Sequence, residues 1–177
     1  MTTRRRRSAA TLLLVLIFGG CGQRSAPPPA TTPPPPTPTP SRVLLFFPGE
    51  DTLLHGEVRE IPELPSELAP RIRLLVEELA LGSTQGRGAV FPWSVAVLGV
   101  FVDEGGDAFV DLSAPPPRAV EGSATETALL FATVSSVVAN CPGVRRLQLL
   151  FDGHEIETLG HLDFSRPLAP RPELIAR

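Results

Sequence analysis

The sequence predicts an α+β fold, in which a small sheet is built around a central hairpin and accompanied by two helices. The segment Ser94–Ser113 contains two short apolar strands joined at a pair of glycines. Two other stretches, Leu68–Leu79 and Leu130–Val138, repeat apolar residues with the 3.6-residue period of an α-helix. Val144–Phe151 alternates apolar and polar residues, as a half-buried strand does.

The glycine pair Gly105-Gly106 predicts the turn of the central hairpin. Both central positions of a type I′ turn need a positive φ, which glycine adopts without a steric penalty. A two-residue turn here would place Val102 opposite Phe109. The core face of the hairpin would then consist of Val97, Gly99, Phe101, Ala108, Val110 and Leu112.

The second face of the hairpin is the candidate interaction face. It would combine three aliphatic residues and a phenylalanine, namely Leu98, Val100, Val102 and Phe109. An apolar patch of this kind is either covered within the domain or used for contact. Internal cover would come from Phe91 and Trp93 in the preceding loop or from the tail 162–168. The alternative is an exposed docking surface.

The remaining strands follow from apolar runs and turn signals. Val43–Phe47 is apolar on both faces, as in a strand buried on both sides. Glu57–Ile61 alternates weakly and stops before a proline, which indicates an edge strand. Asp152-Gly153 predicts a second hairpin after Val144–Phe151. The tail 162–168 is apolar enough to pack against the body of the domain.

The helix ends are predicted from capping residues. The first helix would be capped by Ser66 or Ala69 and would end before Gly82, a residue suited to the left-handed position after a helix. The second helix would begin with a capping box, in which Ser123 and Glu126 satisfy free backbone N–H groups. It would end near Asn140.

The first 21 residues predict export and lipid attachment. Four arginines precede the apolar run Ala9–Phe18, which is too short to span a bilayer and is typical of a signal peptide. The following Phe18-Gly19-Gly20-Cys21 resembles the lipobox of bacterial lipoproteins, although leucine is usual where Phe18 stands. We expect Cys21 to be lipidated and to anchor the protein to a membrane. An ordinary secretory signal with an incidental cysteine is the alternative.

The next segment, residues 22–41, predicts a tether rather than part of the fold. It consists mainly of proline, threonine and alanine, and it has no large apolar side chain with which to form a core. The folded domain is therefore expected to span residues 42–177.

The charge and cysteine content restrict the partners and the chemistry. Without the four arginines of the signal segment, 12 arginines remain against 19 acidic residues. This acidic balance argues against binding to nucleic acid. Cys141 is the only other cysteine. We expect it to be a buried, unreactive side chain at the end of the second helix.

Five segments, in this order, resemble the GerMN domain family of sporulation and spore-germination proteins: Val43–Pro48, Leu75–Gly82, Glu104–Ser113, Val144–Phe151 and Asp152–Gly160. Glu104–Ser113 resembles the strand–turn–strand of that family, which ends in V-D-L-S. Pro142–Leu147 resembles its P-G-V approach to the next strand. Asp152–Gly160 is similar to its D-G…T-L-G turn, and Ser165–Leu168 to its closing S-x-P-L. The likeness covers nearly all of residues 42–177.

The resemblance implies an α+β module of the ring-building-motif type, with two helices packed on one face of the sheet. Such domains occur on exported or membrane-anchored proteins, where they are expected to mediate protein contacts. This chain contains one copy, whereas the sporulation protein of the family contains two. We therefore expect a noncatalytic envelope lipoprotein that contacts an unidentified envelope protein or another copy of itself. A module that binds peptidoglycan or a small solute is the alternative, with Phe91, Trp93 and the acidic residues of 152–163 as its platform.

No residue pattern predicts a catalytic, cofactor or metal site. The densest group of metal-ligand residue types is His154, Glu155, Glu157, His161 and Asp163. Strand alternation separates the first two of these, and the two histidines lack the helical i, i+4 spacing of a zinc site. No G-x-S-x-G nucleophile elbow occurs, and no glycine-rich phosphate loop opens a helix.

The residues of the hairpin motif are instead expected to be structural. They are Gly105, Gly106, Val110, Asp111, Leu112 and Ser113. In particular, Asp111 is expected to cap backbone groups of the link 114–117, because a carboxylate satisfies free N–H groups well.

Overall fold

The computed structural model of the chain describes residues 40–116, 119–120, 122–159 and 162–177. The predicted signal peptide, Cys21 and nearly all of the predicted tether lie outside these residues. The first described strand begins at Ser41, one residue before the predicted domain boundary. In these ranges, no helix is long and apolar enough to cross a membrane.

The described residues form an α+β arrangement with two α-helices and a short 3-10 helix, Pro172–Leu174. The helices are α1 (Leu68–Ala80) and α2 (Ser123–Asn140). The strands are β1 (Ser41–Pro48), β2 (Leu54–Ile61), β3 (Val97–Val102), β4 (Asp107–Leu112), β5 (Arg146–Phe151), β6 (His154–Glu155), β7 (Thr158–Leu159) and β8 (Leu162–Asp163).

The central sheet has the strand order β3-β4-β5-β6. The strands β4 and β5 run parallel and are connected through α2, whereas the other neighbouring strands are antiparallel. The pair β1-β2 and the pair β7-β8 form two further antiparallel units. The helix α2 contacts β1 and β5, and α1 contacts β3. The predicted α+β fold is thus confirmed.

The core lies between the central sheet and the two helices and continues between α2 and the β1-β2 pair. The parallel register places Val110 beside Leu149 and Leu112 beside Phe151, and all four side chains are buried. The helix α1 buries only one stripe, as its amphipathic sequence predicts. The helix α2 is buried on nearly every side, because it lies against both β1 and the central sheet. This position explains its high content of apolar residues.

The helix ends agree with the sequence only in part. Gly82 follows α1 with a φ of +85°, as predicted for this position. The residue at the N-terminal cap of α1 is Glu67, however, rather than Ser66 or Ala69. The predicted capping box of α2 is also wrong, because Ser123 is already helical and Gly122 occupies the cap without a side-chain hydrogen bond.

The turn of the β3–β4 hairpin differs from the predicted type I′ turn. The N–H of Asp103 donates to the carbonyl oxygen of Asp107 at 3.0 Å. The N–H of Asp107 donates to Oδ1 of Asp103 at 2.8 Å, so this carboxylate closes the turn. Three residues then separate the paired positions, and of the two glycines only Gly106 has a positive φ. A type I′ turn does occur at Asp152-Gly153, where both φ values are positive.

The longer turn shifts the predicted pairing by one residue. Val102 pairs with Ala108, and Val100 pairs with Val110. Directly opposed residues share a face, so Val100 and Val102 lie on the core side, contrary to the prediction. Phe101 pairs with Phe109 on the other face, although it was predicted to lie in the core. A bulge between Val97 and Gly99 then returns Val97 to the core side, opposite Leu112.

Candidate functional site

The face of the central sheet that points away from the helices bears an exposed aromatic pair. We call the residues of β3 and β4 on this side the outer face. The rings of Phe101 and Phe109 lie 6.2 Å apart between centroids, and Phe101 is 63% exposed. Leu98, in the bulge of β3, is 50% exposed. Large apolar side chains at such exposure are a feature of contact surfaces.

The predicted internal cover leaves Phe101 exposed, whereas Phe109 is partly buried. Phe91 and Trp93 contact each other at 5.7 Å between ring centroids, and Trp93 contacts Phe151 at 6.4 Å. Phe164 of the tail is buried, and its carbonyl oxygen accepts a hydrogen bond from the buried Gln148 of β5. The tail therefore packs against the body near β5, as predicted, and leaves Phe101 open to solvent.

The four residues predicted to form one interaction face lie on two different faces of the hairpin. Leu98 is exposed, and Phe109 is partly exposed on the outer face. Val100 and Val102 are partly buried and pack against the core instead. Phe101 replaces them as the most exposed large apolar residue of the hairpin. Its exposure was not predicted because a one-residue shift in register moves every side chain of a strand to the opposite face.

The tip of the hairpin is fixed to the loop that precedes β5. The N–H of Arg145 donates to the carbonyl oxygen of Gly106 at 2.8 Å, and its guanidinium donates to the carbonyl oxygen of Gly105. A Cβ atom on Gly106 would lie 2.4 Å from the carbonyl oxygen of Gly143. Glycine is therefore required at position 106 both by this close approach and by its φ of +81°.

An ion pair reinforces this attachment. The guanidinium of Arg146 donates two hydrogen bonds to the carboxylate of Asp107, from Nε at 2.7 Å and from Nη2 at 2.5 Å. These hydrogen bonds from Arg146 lower the pKa of Asp107 below its usual value. The carboxylate of Asp107 thus joins β4 to β5 through this ion pair.

The polar residues at the end of β4 also make structural contacts. Oδ1 of Asp111 accepts a hydrogen bond from the N–H of Gly153 at 2.9 Å. The predicted contact with the link 114–117 is made by Asp152 instead, which accepts from the N–H of Ala114 at 3.3 Å. Ser113 exchanges hydrogen bonds with Ala96, through its own N–H and through Oγ, both at 2.9 Å. Val110 and Leu112, the apolar residues of the motif, are fully buried.

An open groove lies between α1 and the edge of the central sheet. It has a volume of about 860 Å³. Its lining comes from the loop before α1, from one side of α1 between Ala69 and Glu77, and from a single residue of the sheet, Val100. Arg73 crosses from α1 to β3, where its guanidinium donates to the carbonyl oxygens of Val97 and Leu98.

A buried charged cluster attaches the end of α1 to β2. Glu57 is 1% exposed, and its carboxylate accepts hydrogen bonds from the hydroxyls of Ser83 and Thr84 at 2.6 and 2.7 Å. Arg59 donates to Glu57 at 3.0 Å and to the carboxylate of Glu78 at 2.8 Å. This cluster was not predicted from the sequence, although Glu57 and Arg59 are two residues apart on a strand and therefore share a face.

The pKa of Glu57 reflects these contacts. Burial alone would raise the pKa, but the hydrogen bonds from Ser83, Thr84 and Arg59 outweigh burial and lower it to about 2. Glu57 is therefore a carboxylate at neutral pH and does not hold a transferable proton. Its role is to join β2 to the loop after α1.

The remaining candidate residues do not form a reactive group. Within the described ranges, which exclude His161, no three histidine, cysteine, aspartate or glutamate residues are grouped as metal ligands would be. Cys141 is fully buried, as predicted, and burial raises the pKa of its thiol to about 11. It is thus a protonated thiol at neutral pH.

The comparisons with known proteins agree with this architecture. A protein from Clostridium perfringens, assigned as a lipoprotein, is similar over 77% of this chain and 93% of its own, with 19% identity and a TM-score of 0.51. The first GerMN domain of the sporulation protein GerM from Bacillus subtilis is similar over 77% of this chain and 98% of its own, with 16% identity and a TM-score of 0.52.

The structure of the tandem GerMN domains of the same Bacillus subtilis protein gives a TM-score of 0.56 at 17% identity. The match covers 74% of this chain but only 46% of the tandem structure. These likenesses show that the fold is that of a GerMN domain. No curated protein sequence matches this chain.

The amino-acid sequence also matches a family model, in addition to the structural likeness. The model of the Germane family, described as "Sporulation and spore germination", matches residues 44–157. This range runs from β1 to the residue before β7, and it contains both helices and the whole central sheet. Since the match covers more than half of the sequence, the chain belongs to the Germane family.

Proposed function

We propose that this chain is a noncatalytic envelope lipoprotein whose Germane domain mediates protein–protein contacts. The observation that supports this function best is the exposure of Phe101 beside Phe109 on the outer face. Aromatic residues contribute strongly to protein interfaces, and two aromatic rings side by side on a sheet face form an apolar patch of the kind that contact surfaces use. The partner is an envelope protein of a sporulation, germination or general assembly system.

The charged residues support a noncatalytic role. The carboxylates of Glu57, Asp107 and Asp111 each accept hydrogen bonds that join separate parts of the fold. These three carboxylates are therefore occupied by contacts that hold the fold together.

The alternative of a glycan-binding module has less support. Its proposed platform, Phe91 and Trp93, packs inward: Phe91 is buried, and Trp93 is partly buried against Phe151. Sugar-binding aromatic residues need an exposed ring face on which a sugar can stack.

Membrane attachment is the part of the proposal that rests on the sequence alone. The lipobox-like Phe18-Gly19-Gly20-Cys21 predicts lipidation at Cys21. We expect Cys21→Ala to move the protein from the membrane fraction to the soluble fraction, measured by sedimentation and immunoblotting. Continued sedimentation of this variant with membranes would contradict lipid anchoring.

The contact function is tested by charge substitution on the outer face. Phe101→Glu places a carboxylate in the proposed contact and should abolish chemical crosslinks to envelope proteins in native membranes. Val58→Glu is a matched control, because Val58 is 59% exposed on β2, away from the central sheet. Loss of crosslinks in both variants, or in neither, would contradict a contact through the outer face.

A further inference from the structure

The strand β3 has a hydrogen-bonding edge that is occupied by Arg73 at Val97 and Leu98 and is unpaired at Val100 and Val102. It is the end strand of the central sheet, and β4 is its only strand neighbour among the described residues. The pair Asp103/Asp107 is hydrogen bonded, and antiparallel pairs alternate between hydrogen-bonded and non-hydrogen-bonded positions. The N–H and C=O groups of Val100 and Val102 therefore point away from β4. Exposed groups of this kind pair readily with an additional strand.

The groove beside this edge has an apolar floor. Val100 lines it from the sheet, and Leu64 and Leu74 line it from the side of α1. All three side chains are partly buried and pack against the core. The groove thus places aliphatic surface next to the free backbone groups of β3, as in sites that bind a peptide by strand addition.

The rim of the groove is acidic. Glu63, Glu67 and Glu77 line it, and all three are exposed. Within the described part of the chain, none of these three carboxylates forms an ion pair. The one cationic group of the lining, Arg73, is already bound to backbone carbonyl oxygens of β3. Arg73 keeps its positive charge in these hydrogen bonds to neutral oxygens, so three glutamates and one arginine leave the lining with a net charge of −2.

We propose that this groove binds an extended segment of another protein, rich in arginine or lysine, which adds to β3 as a strand. The backbone of the segment would pair with Val100 and Val102, its aliphatic side chains would contact the floor, and its cationic side chains would meet the three glutamates. A second copy of this chain fits less well, because two acidic rims would repel each other. The inference rests on the proposed function in one respect, namely that the partner is a protein.

The binding experiment uses the full chain in a nonionic detergent. The probe is a short fluorescent peptide of alternating valine and arginine, compared with one of valine and glutamate and with a valine–arginine peptide interrupted by proline. We expect saturable binding of the first peptide alone, because proline lacks the N–H needed for strand pairing. Equal binding of the glutamate or the proline peptide would overturn the inference.

Two protein variants locate the binding. The variant Glu63→Gln/Glu67→Gln/Glu77→Gln should weaken binding about tenfold, since each exposed ion pair contributes modestly. The matched variant Glu50→Gln/Glu155→Gln/Glu173→Gln removes the same charge from exposed positions outside the groove and should change the affinity less than about twofold. Equal weakening by both variants would show nonspecific attraction and would overturn the inference.

Amide hydrogen exchange gives an independent readout. The valine–arginine peptide should slow exchange at Val100 and Val102, and no protection at these positions would contradict strand addition. The variant Phe101→Glu distinguishes the groove from the outer face. It should lose the envelope crosslinks, which depend on the outer face, and should still bind the peptide in the groove. If the unsubstituted protein failed to bind the peptide but still formed the envelope crosslinks that depend on Phe101, peptide binding in the groove would be refuted. The proposed contact function of the outer face would then still stand.

Discussion

The side-chain amide of Asn140 pairs with both backbone groups of Leu44, although 96 residues separate them in the chain. Nδ2 of Asn140 donates to the carbonyl oxygen of Leu44 at 2.7 Å, and its Oδ1 accepts from the N–H of Leu44 at 2.9 Å. One helical turn earlier, Oγ of Ser136 accepts from the N–H of Phe46 at 2.9 Å. Side chains of α2 thus satisfy the edge of β1 in place of a neighbouring strand.

Adjacent serines in α2 allow this edge pairing to be tested. Ser136→Ala leaves the buried N–H of Phe46 without its acceptor and should lower the free energy of unfolding by about 1–3 kcal/mol. Ser135→Ala is the control, because Oγ of Ser135 is buried and has no hydrogen-bond partner among the described residues. It should leave stability unchanged or raise it slightly. Urea unfolding of both variants measures the difference, and equal losses would contradict the pairing.

The low pKa of Glu57 predicts how stability depends on pH. A group whose pKa falls from 4.5 in the unfolded chain to about 2 in the folded domain stabilises the fold fully above pH 4.5. This contribution, roughly 3 kcal/mol by linkage, is lost as the pH falls from 4.5 through 2.

The variant Glu57→Gln should be less stable than the parent at pH 7 and should lose less stability on acidification through this range. The measurement is the urea midpoint as a function of pH. Glu60→Gln, at an exposed neighbouring position of β2, should retain the pH dependence of the parent. A parallel pH profile for Glu57→Gln and the parent would show that Glu57 is not the responsible group.

Two glycines have similar φ values but different surroundings, so alanine substitutions at the two positions distinguish the cost of backbone strain from the cost of steric contact. Gly106 and Gly82 have φ values of +81° and +85°. A Cβ on Gly82 would meet no atom within 4 Å, whereas one on Gly106 would lie 2.4 Å from the carbonyl oxygen of Gly143. Gly82→Ala should therefore cost about 1–2 kcal/mol from strain alone.

Gly106→Ala should cost clearly more than Gly82→Ala, because the hairpin tip must also move away from the loop before β5. Thermal unfolding of the two variants gives the comparison. Equal costs would mean that the hairpin tip is not held against Gly143.

Asp111 should prove structural rather than functional. Asp111→Ala removes the acceptor for the N–H of Gly153 and should cost about 0.5–2 kcal/mol, the range for loss of a capping carboxylate. Crosslinking to envelope proteins should persist under conditions in which the variant is folded. A stable Asp111→Ala protein that has lost its crosslinks would instead place Asp111 in the contact site.

The sequence predicted the elements of the fold better than their contacts. Periodicity located both helices, and alternation located β5, because these patterns are local. The register of β3 against β4 was wrong because a side chain, the carboxylate of Asp103, decides the length of the turn. The residues Gly105-Gly106 alone do not contain that information.

Local sequence patterns could not predict contacts between segments that are distant in the chain. Nothing near Asn140 indicates that its amide pairs with β1, and nothing near Glu57 indicates that its carboxylate meets Ser83 and Thr84. The exposed position of Phe101 follows from the register and was missed with it. The buried state of Cys141 could be predicted, because a small apolar side chain at the end of a core helix is usually buried.

Site-specific photocrosslinking from the outer face tests the central claim most directly. A photoreactive phenylalanine analogue at position 101 would be activated in native membranes, with the same analogue at position 58 as the control of similar exposure. We expect position 101 to crosslink to a discrete envelope protein or to a second copy of this chain, and position 58 to give none of that product. The same product from both positions, or no product from position 101, would contradict a contact function for the outer face.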